Sequence, residues 1–450
     1  MNNKNDLTHG PVREKLVKLT IPMIFGMLSM VMFNLVDTLF ISRLGTNELA
    51  AMGFTFPVIM LIMSIALGLG IATASVISQA IGRGEQHQLK RLTTDSLIIS
   101  FFVVAVFAGL GLLTMDWTFT LLGANADTLP LVKEYMKIWY VGIPFVIIPM
   151  VGNNALRACG NMLFPSLIMV TSILFNVLLD PLLIFGLWGF PRLGLTGAAL
   201  ATVISRATAL IFSFLVLRYK EDLLDFSLPS LTQFSNSLKQ IFYIAVPTAA
   251  SRLMVPLTMS AVMRLVAGFG AAAVAAVGIA VKIEMFVAVA IMALSTALIP
   301  FVGQNWGAKQ FDRVKEATNS ANKFSILWGL AHLVLFLFLA IPLGNLFGKD
   351  PQVAKYIVYY LWITPVGYGL RGVTFLTTSV FNAVNKPSVA IGLNAVRTFL
   401  FYVPFAFVGS LAGGIIGLFI GLTLANIISG LISLLVLRKG FVPSGALPKM

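Results

Sequence analysis

Long apolar runs, separated by short polar segments, make up most of this chain. A run of about 20 apolar residues is long enough to cross a bilayer as a helix, and twelve such runs predict twelve membrane spans. The predicted spans are 14–42, 50–81, 92–114, 129–153, 163–187, 195–217, 238–266, 273–305, 324–345, 352–381, 388–410 and 413–437. Several are longer than one crossing requires, so we expect tilted helices or helices that protrude from the membrane.

Composition also indicates a polytopic membrane protein. Of the 450 residues, 58% are hydrophobic and 11% are charged, a balance that soluble domains of this size do not have. The net charge of +14 lies mostly in short loops between the apolar runs, so it indicates membrane orientation and not nucleic-acid binding. The single cysteine, Cys159, excludes an intrachain disulfide and a cysteine-cluster metal site. The scattered histidines without an HExxH motif argue against a zinc protease.

The distribution of Lys and Arg predicts the orientation of the chain. The N-terminal segment is basic, and alternate loops carry residues such as Arg83, Lys90 and Arg91, whereas the opposite loop at 268–270 has no basic residue. We therefore expect a multi-pass protein of the inner (plasma) membrane with both termini in the cytoplasm. Residues 1–19 lack the features of a cleaved signal peptide, so we expect the first span to direct insertion.

The two halves of the chain resemble each other at an offset of 225 residues, which separates Pro22 from Pro247. Matches at the same offset pair Gly45 with Gly270, Gly53 with Gly278, Gln79 with Gln304 and Gly82 with Gly307. Six spans in each half give both halves the same orientation. The predicted fold class is an all-α polytopic membrane protein with two six-helix lobes, related by pseudo-two-fold symmetry along the membrane normal. The expected domains are an N-terminal lobe (1–218), a cytoplasmic linker (219–238) and a C-terminal lobe (239–450).

Asp37 is the only charged residue of the apolar stretch 21–41. A carboxylate near the centre of a membrane helix costs roughly 2.5–3.5 kcal/mol on insertion scales, and intramembrane acids are usually functional. Asp and Glu make up only 17 of the 450 residues, so this position needs a reason. We predict a proton or cation site of a transporter; the structural alternative is an acid that faces a polar interior or pairs with a basic residue.

Asn176 and Asp180 form a second polar pair within an apolar run. Four residues apart, they share one face of a helix, and Pro181 removes a backbone donor beside them. Amide, carboxylate and freed carbonyl oxygens suit Na⁺ or a proton relay, although Asn176 could simply bond a neighbouring helix. Two such carboxylates close together could not both ionise cheaply, so one would take up a proton or share a cation with the other.

Pro22 precedes Asp37 by fifteen residues, which is about 22 Å along a helix. A proline gives the first span a place to bend. It could act as a hinge that responds to the state of Asp37, or it could be a static kink, and the sequence favours neither.

Together these residues resemble the MATE multidrug and toxic-compound extrusion transporters, most closely the DinF-like prokaryotic branch. The resemblance covers the whole chain and rests on the twelve spans in a repeat of six, and on several local motifs. The motifs are Asp37 after Pro22, Gln79-x-x-Gly82, Asn153 with Arg157 and Gly160, Asn176-x-x-x-Asp180-Pro181, and Gly197-Ala-Ala-x-Ala-Thr202.

The resemblance implies a cation site in the N-terminal lobe. By local motif its residues are Asp37, Tyr135, Asn153, Asn176, Asp180 and Thr202. Asn153 is preferred to Asn154 because it lies eighteen residues after Tyr135 and therefore on the same helix face. Another branch of the family uses acids in spans 7, 8 and 10, of which this chain has only Glu284 in span 8.

The resemblance also implies a function. The family exports bulky, amphipathic, mostly cationic small molecules in exchange for H⁺ or Na⁺, and a protonatable carboxylate on the same helix as a candidate hinge proline favours H⁺ here. We expect a monomer in the lipid bilayer, with no cofactor beyond the coupling ion, no metal beyond a possible Na⁺ at Asp37, Asn176 and Asp180, and no nucleic-acid partner.

Two other functions compete with drug export. A lipid-linked oligosaccharide flippase of the same superfamily would use basic residues to hold pyrophosphate. Candidates for that role are Arg206, Arg252, Arg371 and Arg397. An intramembrane enzyme would need a nucleophile–base pair or a metal cluster, and Cys159 and the isolated His332 supply neither, so we do not expect an enzyme.

Overall fold

The computed structural model describes residues 6–227, 230–348 and 350–440, without the side chains of residues 34, 35, 38, 42, 46, 47, 49, 50, 86, 87 and 440. Within these ranges the regular elements are helices, and no strand occurs. The α-helices are α1 (Val12–Ser42), α2 (Thr46–Gly82), α3 (Gln86–Leu113), α4 (Met115–Leu121), α5 (Leu129–Ala158), α6 (Leu163–Phe185), α7 (Gly194–Leu215), α8 (Leu231–Ala267), α9 (Ala271–Gly307), α10 (Phe311–Phe347), α11 (Pro351–Ile363), α12 (Tyr368–Ala383), α13 (Pro387–Ala395) and α14 (Val403–Gly440). The all-helical membrane fold that the sequence predicted is therefore confirmed.

Ten segments of the described chain are long and apolar enough to span a membrane. Nine of them overlap the first nine predicted spans, with bounds that differ by up to thirteen residues. The tenth predicted span is divided into α11 and α12 by a 3-10 turn at Thr364–Gly367. Pro365 lies in this turn, and a proline removes one backbone donor from a helix and disturbs the preceding turn.

The last two predicted spans lie in one apolar segment, Pro387–Lys439, but they are separate helical pieces. Gly413 and Gly414 interrupt α14 with non-helical backbone, and Gly414 has φ 59°. The two pieces lie against each other, because a Cβ on Gly409 would be 2.2 Å from the carbonyl oxygen of Gly417. Glycine is needed at this contact, since only a residue without a side chain lets two helices approach so closely.

Two further features of the helices differ from the sequence predictions. The short helix α4 was not predicted, because seven residues are too few to show a helical period. Helix α8 begins at Leu231, so part of the segment predicted as a linker is helical.

The described chain folds into two compact units. The first consists mainly of Ile21–Ala249, and the second combines Leu7–Thr20 with the residues from Ala250 onward. Within the second unit, Leu7 N donates to Gln304 Oε1 at 3.3 Å, and Asn305 Nδ2 donates to Leu7 O at 3.1 Å. The predicted domain limits of 1–218 and 239–450 stay predictions, and the sequence did not indicate that the start of α1 groups with the second unit.

The segment after α7 is attached to α3 within the first unit. Lys90 Nζ donates to Asp222 Oδ2 at 2.5 Å, and this hydrogen bond holds the pKa of Asp222 below its usual value. The backbone N–H of Asp225 donates to Thr94 Oγ1 at 2.9 Å. Asp95 is fully buried, pairs with Arg91 and accepts a hydrogen bond of 2.6 Å from Ser237 Oγ at the start of α8. The predicted linker is therefore held in place by specific polar contacts.

Candidate functional site

Helix α6 carries the centre of the predicted cation site. Asn176 and Asp180 are both buried, and Asp180 is 0% exposed. The helix continues past Pro181 to Phe185, although the proline leaves a carbonyl one turn earlier without its helical donor. The pair therefore lies on one helix face beside a weakened turn, as the sequence predicted.

The Asn176 amide joins Asp180 to α7. Because amide orientation is assigned from hydrogen bonds, we take the one that satisfies both ends. Nδ2 then donates to Asp180 Oδ2 at 2.9 Å, and Oδ1 accepts from the backbone N–H of Thr202 at 3.3 Å. The opposite orientation leaves longer contacts of 3.4 Å to Asp180 and 3.5 Å to Thr202 Oγ1. In either orientation, three of the predicted residues lie together.

Small residues bring α7 against α6 and thereby position Thr202. A Cβ on Gly197 would lie 2.3 Å from the carbonyl oxygen of Leu183, so the two backbones are in direct contact there. Ala198, Ala199 and Ala201 are also buried. Membrane helices approach closely through such small residues, which explains why the Gly-Ala-Ala-x-Ala-Thr motif ends at a polar contact.

Asp37 and Tyr135 extend this cluster to α1 and α5. Tyr135 is buried and lies within electrostatic range of both Asp37 and Asp180. Asp37 is partly exposed and acts electrostatically on Asp180. Among the described residues, neither carboxylate forms a salt bridge, and no direct hydrogen bond links Asp37 to Asp180. The two acids thus share one polar region without a compensating cation from the described part of the chain.

The structure does not connect Asn153 to this cluster through a hydrogen bond between described residues. Its side chain is buried, and its Oδ1 has no hydrogen-bond partner in the described chain. Asn154, in contrast, donates to Met150 O at 2.8 Å and accepts from Arg157 Nη1 at 3.5 Å. Asn153 is therefore the asparagine with a free acceptor, and its role in the cation site stays a prediction.

Pro22 lies inside α1, which is one helical element from Val12 to Ser42. Just beyond the proline the helix packs on α6. Ser166 Oγ contacts Met23 Sδ at 3.6 Å, and a Cβ on Gly26 would lie 3.4 Å from Ser166. Any bending at Pro22 would change this contact with the helix that carries Asn176 and Asp180. The hinge itself stays a prediction.

Arg206 is a neighbour of the site to which the sequence assigned no role there. A narrow crevice beside Asn176 and Thr202 is also lined by Arg206 and Phe33, and the guanidinium lies 6.0 Å from the centre of the Phe33 ring. The spacing of four between Thr202 and Arg206 was the available signal, because such residues share a helix face.

The second unit has a polar cluster of its own around the buried Glu284. Glu284 on α9 accepts a hydrogen bond of 2.7 Å from the Tyr360 hydroxyl on α11 and pairs with Arg371 on α12. The sequence showed these charges, but residues on three separate helices gave no sign that they meet.

Comparison with known proteins identifies the family. The family model MatE matches residues 22–182 and again residues 247–408. The two matches begin 225 residues apart, in agreement with the repeat found in the sequence. The chain belongs to the MatE family, whose members are multi-pass membrane transporters, as the motifs in the sequence predicted.

Two similar proteins have names that indicate different substrates. The chain is 36% identical to the FAD transporter of Shewanella oneidensis, over 96% of this chain and 95% of the relative. It is 25% identical to the multidrug export protein MepA of Staphylococcus haemolyticus, over 93% of this chain and 91% of that protein.

Solved structures show the same fold. The Vibrio cholerae MATE transporter VcmN in its bent form is 33% identical, with a TM-score of 0.91 over 96% of this chain and 97% of that one. A MOP superfamily transporter of Pyrococcus furiosus is 26% identical, with a TM-score of 0.89 over 98% of both chains; there a reverse polarity of the binding pocket suggests a different function.

Proposed function

We propose that this protein is a secondary active exporter, in which entry of H⁺ or Na⁺ at Asp37 and Asp180 drives the release of an amphipathic small molecule. The supporting observation is that both carboxylates lie in membrane helices without a salt bridge to any described residue. An isolated ionised carboxylate is costly in such surroundings. Protonation or cation binding would remove that cost, so occupancy of the site can change the stability of a conformation.

The amide of Asn176 favours H⁺ over Na⁺ as the coupling ion. In the orientation that satisfies both ends, Nδ2 points at Asp180 and Oδ1 is already used by the Thr202 N–H. A sodium ion next to Asp180 would need oxygens directed at it, and the amide would have to turn over. A proton needs no such rearrangement.

The first candidate substrates are amphipathic cations. Acids within membrane helices attract a cation, and apolar and aromatic side chains accept its body. The similarity to proteins named multidrug export protein MepA supports this class.

The second candidate is an anionic aromatic compound such as FAD. It is favoured by the higher identity to a protein named FAD transporter and by the arginines of the second unit. A lipid-linked oligosaccharide flippase, which would also bind pyrophosphate, is the alternative within the same superfamily.

Proteoliposomes with ΔpH and ΔNa⁺ imposed separately test the proposal. We expect tetraphenylphosphonium or FAD to move across the liposome membrane in the export direction of the protein, at a rate that depends on ΔpH. Transport that follows only ΔNa⁺ would replace H⁺ with Na⁺. Gradient-independent movement of a lipid pyrophosphate, without transport of either soluble compound, would support the flippase and contradict the proposal.

A further inference from the structure

The polar cluster of the second unit contains one buried carboxylate, Glu284, and two partly exposed guanidiniums, Arg371 and Arg397. Glu284 is 7% exposed, and its two oxygens are used by the Tyr360 hydroxyl and by Arg371. Arg371 also acts electrostatically on Arg397. Glu284 can neutralise only one of the two arginines, so the cluster has a net charge of +1.

Arg397 is incompletely satisfied within the cluster. Its Nη2 donates to Asn426 Oδ1 at 3.1 Å, a neutral acceptor. Its Nε is buried and has no hydrogen-bond partner among the described residues, and none of the described carboxylates forms a salt bridge with it. A charge within a membrane segment that lacks a counter-ion is costly, and the partly exposed Arg397 can therefore lower its free energy by binding an anion.

The aromatic residues of the cluster lie in or beside irregular helical segments. Arg397 and Tyr402 lie at either end of a π-helical segment, Val396–Tyr402, and the guanidinium is 5.2 Å from the Tyr402 ring centre. Tyr368 follows directly after the 3-10 turn, and its hydroxyl is 3.2 Å from Thr364 Oγ1. Short π segments inside helices occur frequently at functional sites, and here one carries both an arginine and a ring.

We infer that Arg397, with Arg371 beside it, forms a subsite for the phosphate group of an anionic, aromatic substrate. The inference rests on the proposed function and specifies its second candidate substrate. Arginine binds phosphate through two parallel N–H donors, and the unpartnered Nε together with a terminal nitrogen provides that pair on Arg397. The partly exposed ring of Tyr402 offers a surface for an aromatic ring system.

Glu284 limits the strength of this subsite. By pairing with Arg371 it leaves one uncompensated positive charge instead of two, so an anion can bind and still be released. This predicts that the acid and Arg397 act on substrate affinity in opposite directions, which a purely structural ion-pair network would not do.

Binding of FAD to the full-length protein in lipid nanodiscs tests the inference, with riboflavin as the probe that lacks phosphate. We expect wild type to bind FAD at least about tenfold more tightly than riboflavin. Arg397→Gln should remove this roughly tenfold preference for FAD over riboflavin, since charge-assisted hydrogen bonds to phosphate are among the strongest in proteins. Arg397→Lys keeps the charge but loses the paired N–H donors of the guanidinium, so its preference for FAD should lie between those of wild type and Arg397→Gln. Arg264→Gln, the same change on an exposed side chain of α8, is the matched control and should bind as wild type.

Glu284→Gln should change the affinity for FAD in the direction opposite to Arg397→Gln. Because it frees Arg371 from its counter-ion, FAD should bind severalfold more tightly than to wild type. Weaker FAD binding in this variant, together with unchanged riboflavin binding, would overturn the role assigned to the acid.

A second anion distinguishes the source of the phosphate. If undecaprenyl pyrophosphate binds in an Arg397-dependent way and FAD does not, the subsite holds and its ligand is a lipid. If neither compound depends on Arg397, the inference is wrong. These binding measurements need no ion gradient, so their failure is separate from a failure of gradient-driven export in proteoliposomes, which would contradict the proposed function instead.

Discussion

At the scale of single residues, we expect the protonation state of Asp37 to decide whether substrate transport is coupled to the ion gradient. Asp37→Asn replaces an ionisable group by a neutral one of the same size, and so it imitates the protonated acid permanently. We expect this variant to fold and insert normally but to lose gradient-driven export. The measurement is substrate efflux in proteoliposomes under an imposed ΔpH, at matched protein content.

Two outcomes would contradict the assignment of Asp37. The first is near-normal drug resistance in cells that express Asp37→Asn at the wild-type level. The second is a large drop in thermal stability of the purified variant, because Asp37 would then serve the structure and not the coupling.

Gly197 tests how the site depends on helix contact. A Cβ at this position would lie 2.3 Å from Leu183 O, so Gly197→Ala must push α7 away from α6 and weaken the contact between Thr202 and Asn176. Overpacking of this kind typically costs about 1–3 kcal/mol. We expect a lower unfolding temperature and reduced transport.

The matched control is Gly109→Ala on α3, where a Cβ would meet nothing within 4 Å. That change should be neutral or slightly stabilising, because alanine restricts the unfolded chain. Equal effects of the two substitutions would mean that the close approach at Gly197 does not position the site.

At the scale of elements, α1 is the candidate moving part. Pro22→Ala restores a backbone donor and makes the helix harder to bend. We expect slower transport with unchanged cation binding at Asp37, measured by efflux and by proton release on substrate binding. Full activity of Pro22→Ala would remove the hinge from the mechanism.

Structures of the wild type at low and high pH give a direct view of the same element. Protonation of Asp37 removes a charge from a membrane helix, and we expect α1 to bend at Pro22 in one condition only. A neighbour in structure, VcmN, has been described in a bent form. A straight α1 at both pH values, and in Asp37→Asn, would be incompatible with this expectation.

At the scale of the whole molecule, export requires that coupling ion and substrate favour different conformations. A ligand shifts an equilibrium only by its differential affinity for the two states, and the resulting coupling is reciprocal. Lowering the pH should therefore weaken tetraphenylphosphonium binding to the wild type, by about 5-fold to 150-fold if the coupling is of ordinary size. In Asp37→Asn the affinity should be low and independent of pH. An identical pH profile in both proteins would place the coupling proton elsewhere.

The sequence by itself determined the features that depend on neighbouring positions along the chain. The length of the apolar runs predicted nearly all spans, the offset of 225 residues predicted the repeat, and the spacing of four placed Asn176 and Asp180 on one face. These inferences succeed because a helix in lipid must satisfy its own backbone hydrogen bonds, so local pattern and local structure agree. The 3-10 break at Pro365 and the short helix α4 escaped prediction, since a few residues cannot show a period.

Only the tertiary structure decided which helix faces meet. Thr202 reaches Asn176 because Gly197 allows α7 to touch α6, and Leu7 bonds to Asn305 nearly 300 positions away in the sequence. Arg397, Arg371 and Glu284 come from three different helices, so their spacing in the sequence carried no sign of a common cluster. The rotation and contact of packed helices depend on the summed shapes of many side chains, and no local pattern in one chain specifies that sum.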